Sequence, residues 1–163
     1  MRHRFTDENC SVAQTLEILG DWWTLLIIRE AFLGTRRFAD FEAHLGISKN
    51  VLTQRLRHLV EHDVLEQVEV GRHGNRAEYV LSSRGRDLLT LITALRDWGD
   101  RWVFGEGYEP LVVYDRRTGR PIPRVRVLGE DGAPIPPAMM EIRPGPGADS
   151  VTLERLANDE RGP

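Results

Sequence analysis

Apolar residues recur along the chain at two spacings. From Cys10 to Leu19, the positions Val12, Ala13, Leu16 and Leu19 fall on one helical face, and Gly20 stops the run. Asp21 stands where an N-cap would, ahead of a second helix, Trp22 to Phe32. Its Trp23, Leu26, Ile27 and Phe32 are apolar nearly all round, which predicts deep burial, and Gly34 ends it. A third helix, Phe38 to His44, carries Phe38, Phe41 and Leu45 on one face. The stretch "LGIS" then turns the chain, and Ser48 caps a fourth helix that runs to about Glu61.

Beyond Glu61 the reading changes from helix to strand. "VLEQVEV" and "RAEYVLS" are β-rich runs joined by "GRHGN", whose glycines suit a hairpin loop. Ser82 or Ser83 caps a long helix to about Trp102, on which Leu88, Leu89, Ile92, Leu95, Trp98 and Trp102 make a wide apolar stripe. Little chain is left to cover that stripe, so it asks for a partner subunit. From Val103 the texture shifts. Pro110 to Ile142 reads as short strands, "PLVVYD" and "RVRVLG", with turns "RTGRP" and "EDGAP", and "RPGPGADS" leads to an acidic end expected to fray.

The expected fold class is therefore α+β. Residues 1–9 form an N-terminal arm, 10–103 a winged helix-turn-helix unit, 104–147 a β-rich extension and 148–163 a flexible tail. Composition narrows the function classes. Cys10 is the single cysteine among 163 residues, so neither an intramolecular disulfide nor a cysteine-cluster zinc site can form, and a cytoplasmic location is expected. "MRHRFTDENC" lacks the apolar core of a signal peptide, and "WWTLLII" is too short to span a membrane. A net charge of −3 argues against indiscriminate coating of nucleic acid while leaving room for a local basic patch. There is no Gly-rich phosphate loop, no serine elbow and no HExxH, so no enzyme and no cofactor are expected.

The fourth helix holds the chemistry. At about 100° per residue, Lys49, Asn50, Thr53, Gln54 and Arg57 fall within an arc of about 140°, while Leu52, Leu56 and Leu59 face the other side. These polar types match base edges in the major groove or neutralise phosphates, and the absence of carboxylates from Ile47 to Val60 avoids repulsion by the DNA backbone. A merely solvated face is the alternative for this helix taken alone, since polar faces are the rule on surface helices, and a protein-binding helix would have less reason to exclude acids so completely. The hairpin tip, with Arg72, His73, Asn75 and Arg76, is also free of acids, as a wing reaching a minor groove or phosphates would be.

The motifs "CSVAQTLEILGDWWTLLIIREAFLGTRRFADFEAHLGISKNVLTQRLRHLVEHDVLEQ", "AEYVLSSRGRDLL" and "LRDWGDRW" resemble the HxlR-type transcriptional regulators over roughly Cys10 to Trp102. The resemblance implies a homodimeric winged-helix protein, related in design to MarR-type regulators. Such a protein would bind an inverted-repeat operator in double-stranded DNA, and the resemblance implies that it acts as a repressor. Ser48, Lys49, Asn50, Thr53, Gln54, Arg57 and His58 would face DNA, Arg36 and Arg37 would lie near its backbone, and Arg72, His73, Asn75 and Arg76 would serve in the wing. Dimer contacts would come from Val12, Leu16 and Leu19 of the first helix and from Leu88, Leu89, Ile92, Leu95, Trp98 and Trp102 of the last.

Departures from the family are informative. The chain reads Gly20, Asp21, Trp22, Trp23 where relatives commonly have Gly-Gly-Lys-Trp, and Ser11 follows Cys10 where proline is usual. The extra Trp22 either packs at the dimer seam or lines an effector pocket with Trp23, Phe32 and Trp98 for a small molecule of unknown identity. The extension resembles a small zinc ribbon whose turns are kept and whose cysteines are gone. Cys10 is read either as a redox sensor at a helix start, where the dipole favours thiolate, or as a small buried residue. His58 and His62 share a helical face, but with no third ligand nearby no metal is expected.

Overall fold

The structure, a computed structural model, describes residues 8–70 and 76–159. They fall into two compact units, Ile18–Val125 and a second made of the residues up to Glu17 with those from Arg126 onward.

Four helices open the chain: α1 (Ser11–Leu19), α2 (Trp22–Phe32), α3 (Phe38–Leu45) and α4 (Lys49–Glu61). Their starts and stops follow from local chemistry. Asp21 is extended (φ −91°, ψ 131°), and its Oδ1 accepts from the Trp23 N–H at 2.9 Å, which satisfies one of the orphan donors of α2. Ser48 caps α4 by accepting from Val51 N–H at 3.4 Å. Between α3 and α4 the chain turns at Gly46, whose φ of 61° is left-handed and costs a glycine nothing sterically.

Burial follows the apolar positions. Ile27 and Ile28 of α2, Phe41 of α3, Ile47 of the turn, Leu52, Leu56 and Leu59 of α4, and Val64 and Leu65 form one core with Leu19. Burying a side chain of this size contributes about 1.5–3 kcal/mol, so the cluster fixes where α4 lies on α2 and α3.

The wing is an antiparallel pair, β1 (Leu65–Val70) and β2 (Arg76–Leu81), with Leu65 opposite Leu81 and Val70 opposite Arg76. The α2–α3 loop joins its edge: Arg37 bridges to Glu78 and Tyr79 N–H donates to Arg36 O at 2.8 Å. Ser82 then caps α5 (Ser83–Asp87) and also donates to the Asp63 carbonyl. Gly85 of α5 lies so close to the Val64 carbonyl oxygen that a Cβ there would overlap it.

The long helix expected from Ser83 to Trp102 is broken. Leu88 (φ −72°, ψ −5°) donates to Gly85 O three residues back at 3.2 Å, a tightened turn that separates α5 from α6 (Leu89–Gly99). A π-helical turn, Asp100–Phe104, follows and closes with Gly105 N–H on Asp100 O at 2.9 Å. The extension contains less strand than expected. Tyr114–Asp115 (β3) and Arg120–Pro121 (β4) make a minimal hairpin around the "RTGRP" turn, and around "EDGAP" only Leu128 and Pro134 bridge. Residues 104–125 belong with the winged-helix unit, with Val125 N–H donating to the Asp97 carboxylate of α6 at 2.7 Å.

In the second unit, the chain end expected to fray forms α7 (Ser150–Asp159). Asp149 caps it by accepting from Thr152 N–H at 2.8 Å, while Asn9 donates to Gly147 O at 3.0 Å and accepts from the Thr152 hydroxyl at 3.1 Å. Side-chain oxygens of Asp149 and of the sequence-distant Asn9 thus meet the α7 start, a cap that propensity alone does not reveal.

Candidate nucleic-acid interface

Helix α4 divides as its periodicity predicts. Leu52, Leu56 and Leu59 are buried, while Ser48, Lys49, Asn50, Thr53, Gln54 and Arg57 are exposed. Its only carboxylate is Glu61, the last residue. The positive end of the helix dipole, at Ser48 and Lys49, lies at the start of the polar face. Two hydroxyls are partly committed: Ser48 caps the helix, and Thr53 Oγ1 donates back to Lys49 O at 2.8 Å. No ion pair ties down Lys49 or Arg57 among the described residues.

Arg36 and Arg37 are exposed on the loop that borders the wing. Arg37 Nε lies 3.5 Å from the Glu78 carboxylate, so part of its charge is already balanced. Arg72, His73 and Asn75 lie outside the described residues, and Arg76 is described only as the first residue of β2.

Several predicted residues are placed elsewhere. His58 is half-buried with Nε2 3.0 Å from the Ile18 carbonyl, so it joins α4 to α1 instead of facing outward with Arg57. Its ring stands edge-on to His62 with centroids 4.5 Å apart, and no group of three or more metal-ligating side chains occurs among the described residues. Leu19 is 4% exposed inside the core, which removes it from any subunit interface. Leu88 and Ile92 also pack partly against that core, whereas Val12, Leu16, Leu89, Leu95, Trp98 and Trp102 are exposed. Trp22 is 74% exposed and meets Trp23 edge-to-face, with centroids 6.5 Å apart. Of the four residues expected to line an effector pocket, Phe32 borders a cavity between α2, α6 and the β3–β4 hairpin, whose lining does not include Trp22, Trp23 or Trp98. Cys10 is exposed ahead of α1, not buried, and its carbonyl accepts from Gln14 N–H at 2.9 Å.

Two polar arrangements escaped the sequence reading. Arg55, on the flank of α4, places Nη2 2.7 Å from Asp21 Oδ2, and both side chains are mostly buried. Asp21 therefore caps α2 with one oxygen and ties α4 to it with the other. Deeper in the unit, Glu30 accepts from Arg29 at 2.8 Å and from the Thr35 hydroxyl at 3.1 Å, with His44 Nδ1 also 3.1 Å away. Burial pushes the Glu30 carboxyl up, but the hydrogen bonds from Arg29, His44 and Thr35 outweigh it and hold the group below its ordinary value. A carboxylate within the apolar run "WWTLLIIREAF" was the available signal.

Comparison with known proteins agrees with the winged helix-turn-helix fold. The profile of the family described as HxlR-like helix-turn-helix matches residues 18–106. An uncharacterized HTH-type transcriptional regulator of Mycobacterium tuberculosis (strain ATCC 25618 / H37Rv), Rv3095, is 37% identical over 90% of this chain and 92% of its own length. The crystal structure of PA1607, a transcription-factor candidate, is similar with a TM-score of 0.77 and 38% identity over 84% of this chain and 96% of that one. A second transcription-factor candidate, PA1374 from Pseudomonas aeruginosa, gives a TM-score of 0.62 and 33% identity over 90% of this chain and all of its own (100%).

Proposed function

Because the chain belongs to the HxlR-like helix-turn-helix family of transcriptional regulators, we propose that it is a sequence-specific repressor that binds an inverted-repeat operator as a homodimer. One observation carries the reading. The exposed face of α4 presents Lys49, Asn50, Gln54 and Arg57 with no carboxylate among them, on a helix whose other face is locked into the core. Such a helix can enter a major groove without moving relative to its own unit.

A two-fold dimer places two α4 helices in successive major grooves, so half-site centres lie roughly 10 bp apart. Gln54 and Arg57 read bases; Lys49 and the capping end of α4 meet phosphate, with Ser48, Asn50 and Thr53 beside them. Arg36 and Arg37 approach the backbone, and the wing adds Arg72, His73, Asn75 and Arg76. Val12 and Leu16 of α1, together with Leu89, Leu95, Trp98 and Trp102, supply apolar area for the second subunit, since each is exposed in the single chain. Release follows a small-molecule signal or oxidation, for which the exposed Cys10 is the candidate thiol.

Footprinting on the DNA flanking the protein's own gene, at physiological salt and with or without hypochlorite, tests the reading. An inverted repeat should be protected. Gln54→Ala or Arg57→Ala should weaken binding by about 1–3 kcal/mol, and Lys49→Ala should lower the salt slope for every sequence alike. Full binding by a Lys49, Gln54, Arg57 triple alanine variant would sink the assignment. Release by hypochlorite that survives Cys10→Ser would remove Cys10 from it.

A further inference from the structure

Within the Ile18–Val125 unit a cavity of about 1150 Å³ lies between α2, α6 and the β3–β4 hairpin. That is larger than the roughly 300–1,000 Å³ typical of pockets that take drug-sized ligands. Its walls are predominantly aliphatic and aromatic: Leu25, Leu26 and Phe32 from α2, Ile92 from α6 together with Leu95, which is also offered to the second subunit, and Val113 ahead of β3. The charged groups around it are almost all of one sign. Five arginines line it, Arg29, Arg96, Arg116, Arg117 and Arg120, against the single carboxylate of Asp115.

The pairing of these groups leaves cationic capacity over. Arg117 clasps Asp115 with contacts of 2.8–3.2 Å, which cancels that acid. Arg29 is held by Glu30 at 2.8 Å. Arg96 uses Nη2 on Asp97 at 2.8 Å, yet its Nε and Nη1 are buried without a hydrogen bond, Nε standing 3.5 Å from Asp100. Arg116 and Arg120 are exposed and make no ion pair among the described residues, so their guanidinium groups are open to a ligand. Buried guanidinium nitrogens without partners are costly, and an anion arriving with an apolar body satisfies them while covering the aliphatic walls.

We infer that this cavity is a binding site for an amphipathic organic anion, a carboxylate carried on an apolar chain or ring system, with Arg96, Arg116 and Arg120 as the anion-binding groups. A neutral ligand without an acceptor would leave the buried Arg96 Nη1 unsatisfied and Arg116 and Arg120 facing water, and a nucleic-acid phosphate would leave the apolar walls uncovered. The site gives the extension a role: its hairpin forms one wall, and the 2.7 Å bond from Val125 N–H to Asp97 holds the chain after the hairpin on α6. It also connects to the DNA-reading helix. Helix α2 gives Leu25, Leu26 and Phe32 to the cavity, Ile27 and Ile28 to the core it shares with α4, and its cap Asp21 to Arg55. The coupling to operator release rests on the proposed function; the binding site does not.

Calorimetric titration of the full chain, without DNA, uses decanoate as the probe and decanamide as its neutral isostere. Decanoate should bind once per chain and at least about tenfold more tightly than decanamide. Arg116→Gln with Arg120→Gln should cut decanoate affinity by about tenfold and leave decanamide unaltered, and Thr93→Trp, which puts an indole into the cavity, should abolish both. Equal affinity for acid and amide, or no heat at about 1 mM decanoate, overturns the inference. So does a Thr93→Trp variant whose main change is in subunit dissociation, since a second copy would then be the occupant. No decanoate binding by a protein that still footprints DNA rejects the pocket alone; decanoate binding by a protein that never footprints rejects the DNA reading alone.

Discussion

Replacing Asp21 by asparagine separates the two tasks of one side chain. Asparagine caps helices about as well as aspartate, so the bond to Trp23 N–H survives, while the charge facing Arg55 at 2.7 Å is lost. The cost lies between two limits. Exposed pairs are worth about 0–1 kcal/mol, and removing one partner of a fully buried pair costs about 3–5 kcal/mol. Arg55 and Asp21 retain 23% and 19% of their side-chain exposure, and Arg55 Nε is buried without a hydrogen bond. An intermediate loss of about 2 kcal/mol follows, or about 4–8 °C in Tm for a chain of this size. Asp21→Ala also removes the cap, adding about 1 kcal/mol. Urea denaturation followed by tryptophan fluorescence suits the measurement because Trp22 and Trp23 adjoin the site, and protein concentration must be held fixed if the chain dimerises. A double-mutant cycle with Arg55→Ala should return a coupling of at least about 1 kcal/mol. Asp21→Asn as stable as the parent, or a coupling near zero, would refute the claim that this pair fastens α4 to α2.

Gly85→Ala should destabilise by about 3 kcal/mol, the upper end for overpacking, because its new methyl meets the Val64 carbonyl and neither backbone can give way easily. Gly99→Ala in α6, where nothing lies within 4 Å, should instead be neutral or stabilise by up to about 1 kcal/mol; equal effects in denaturation would discredit the close-approach argument. Glu30 gives an acid-side prediction. Its folded value lies below the ordinary 4.5, so the stability it contributes is present above pH 4.5 and is lost as pH falls through the lower folded value. Stability curves from pH 7 to pH 3 should therefore be flatter in Glu30→Gln than in the parent below pH 4.5. Parallel curves would mean that the bonds from Arg29, Thr35 and His44 do not favour the ionised form.

The helices and the wing were legible because their signals are local. Leu52, Leu56 and Leu59 recur within one helix face; Asp21 and Ser48 cap within two or three residues; Gly46 turns where "LGIS" announced it. The polar face of α4 was legible for the same reason, since a side chain three or four positions from a buried leucine has its direction set by helical geometry. Legibility failed where direction depended on another element. His58 carries the same side-chain chemistry whether it faces solvent or the Ile18 carbonyl, and Leu19 looks like Leu16 until the core closes over only one of them.

By itself, the sequence determined the order of elements, the core stripe of each helix and the acid-free surface of α4, because helix and strand periods are properties of neighbouring residues. Tertiary structure alone decided that Asp21 meets Arg55, that Arg29, Thr35 and His44 converge on Glu30, and that the extension closes an arginine-lined cavity against α2 and α6. Apart from Arg29 and Thr35, which lie near Glu30 in sequence, these pairings join separate elements, and it is the packing of one helix on the next that sets which charges are brought out of water together.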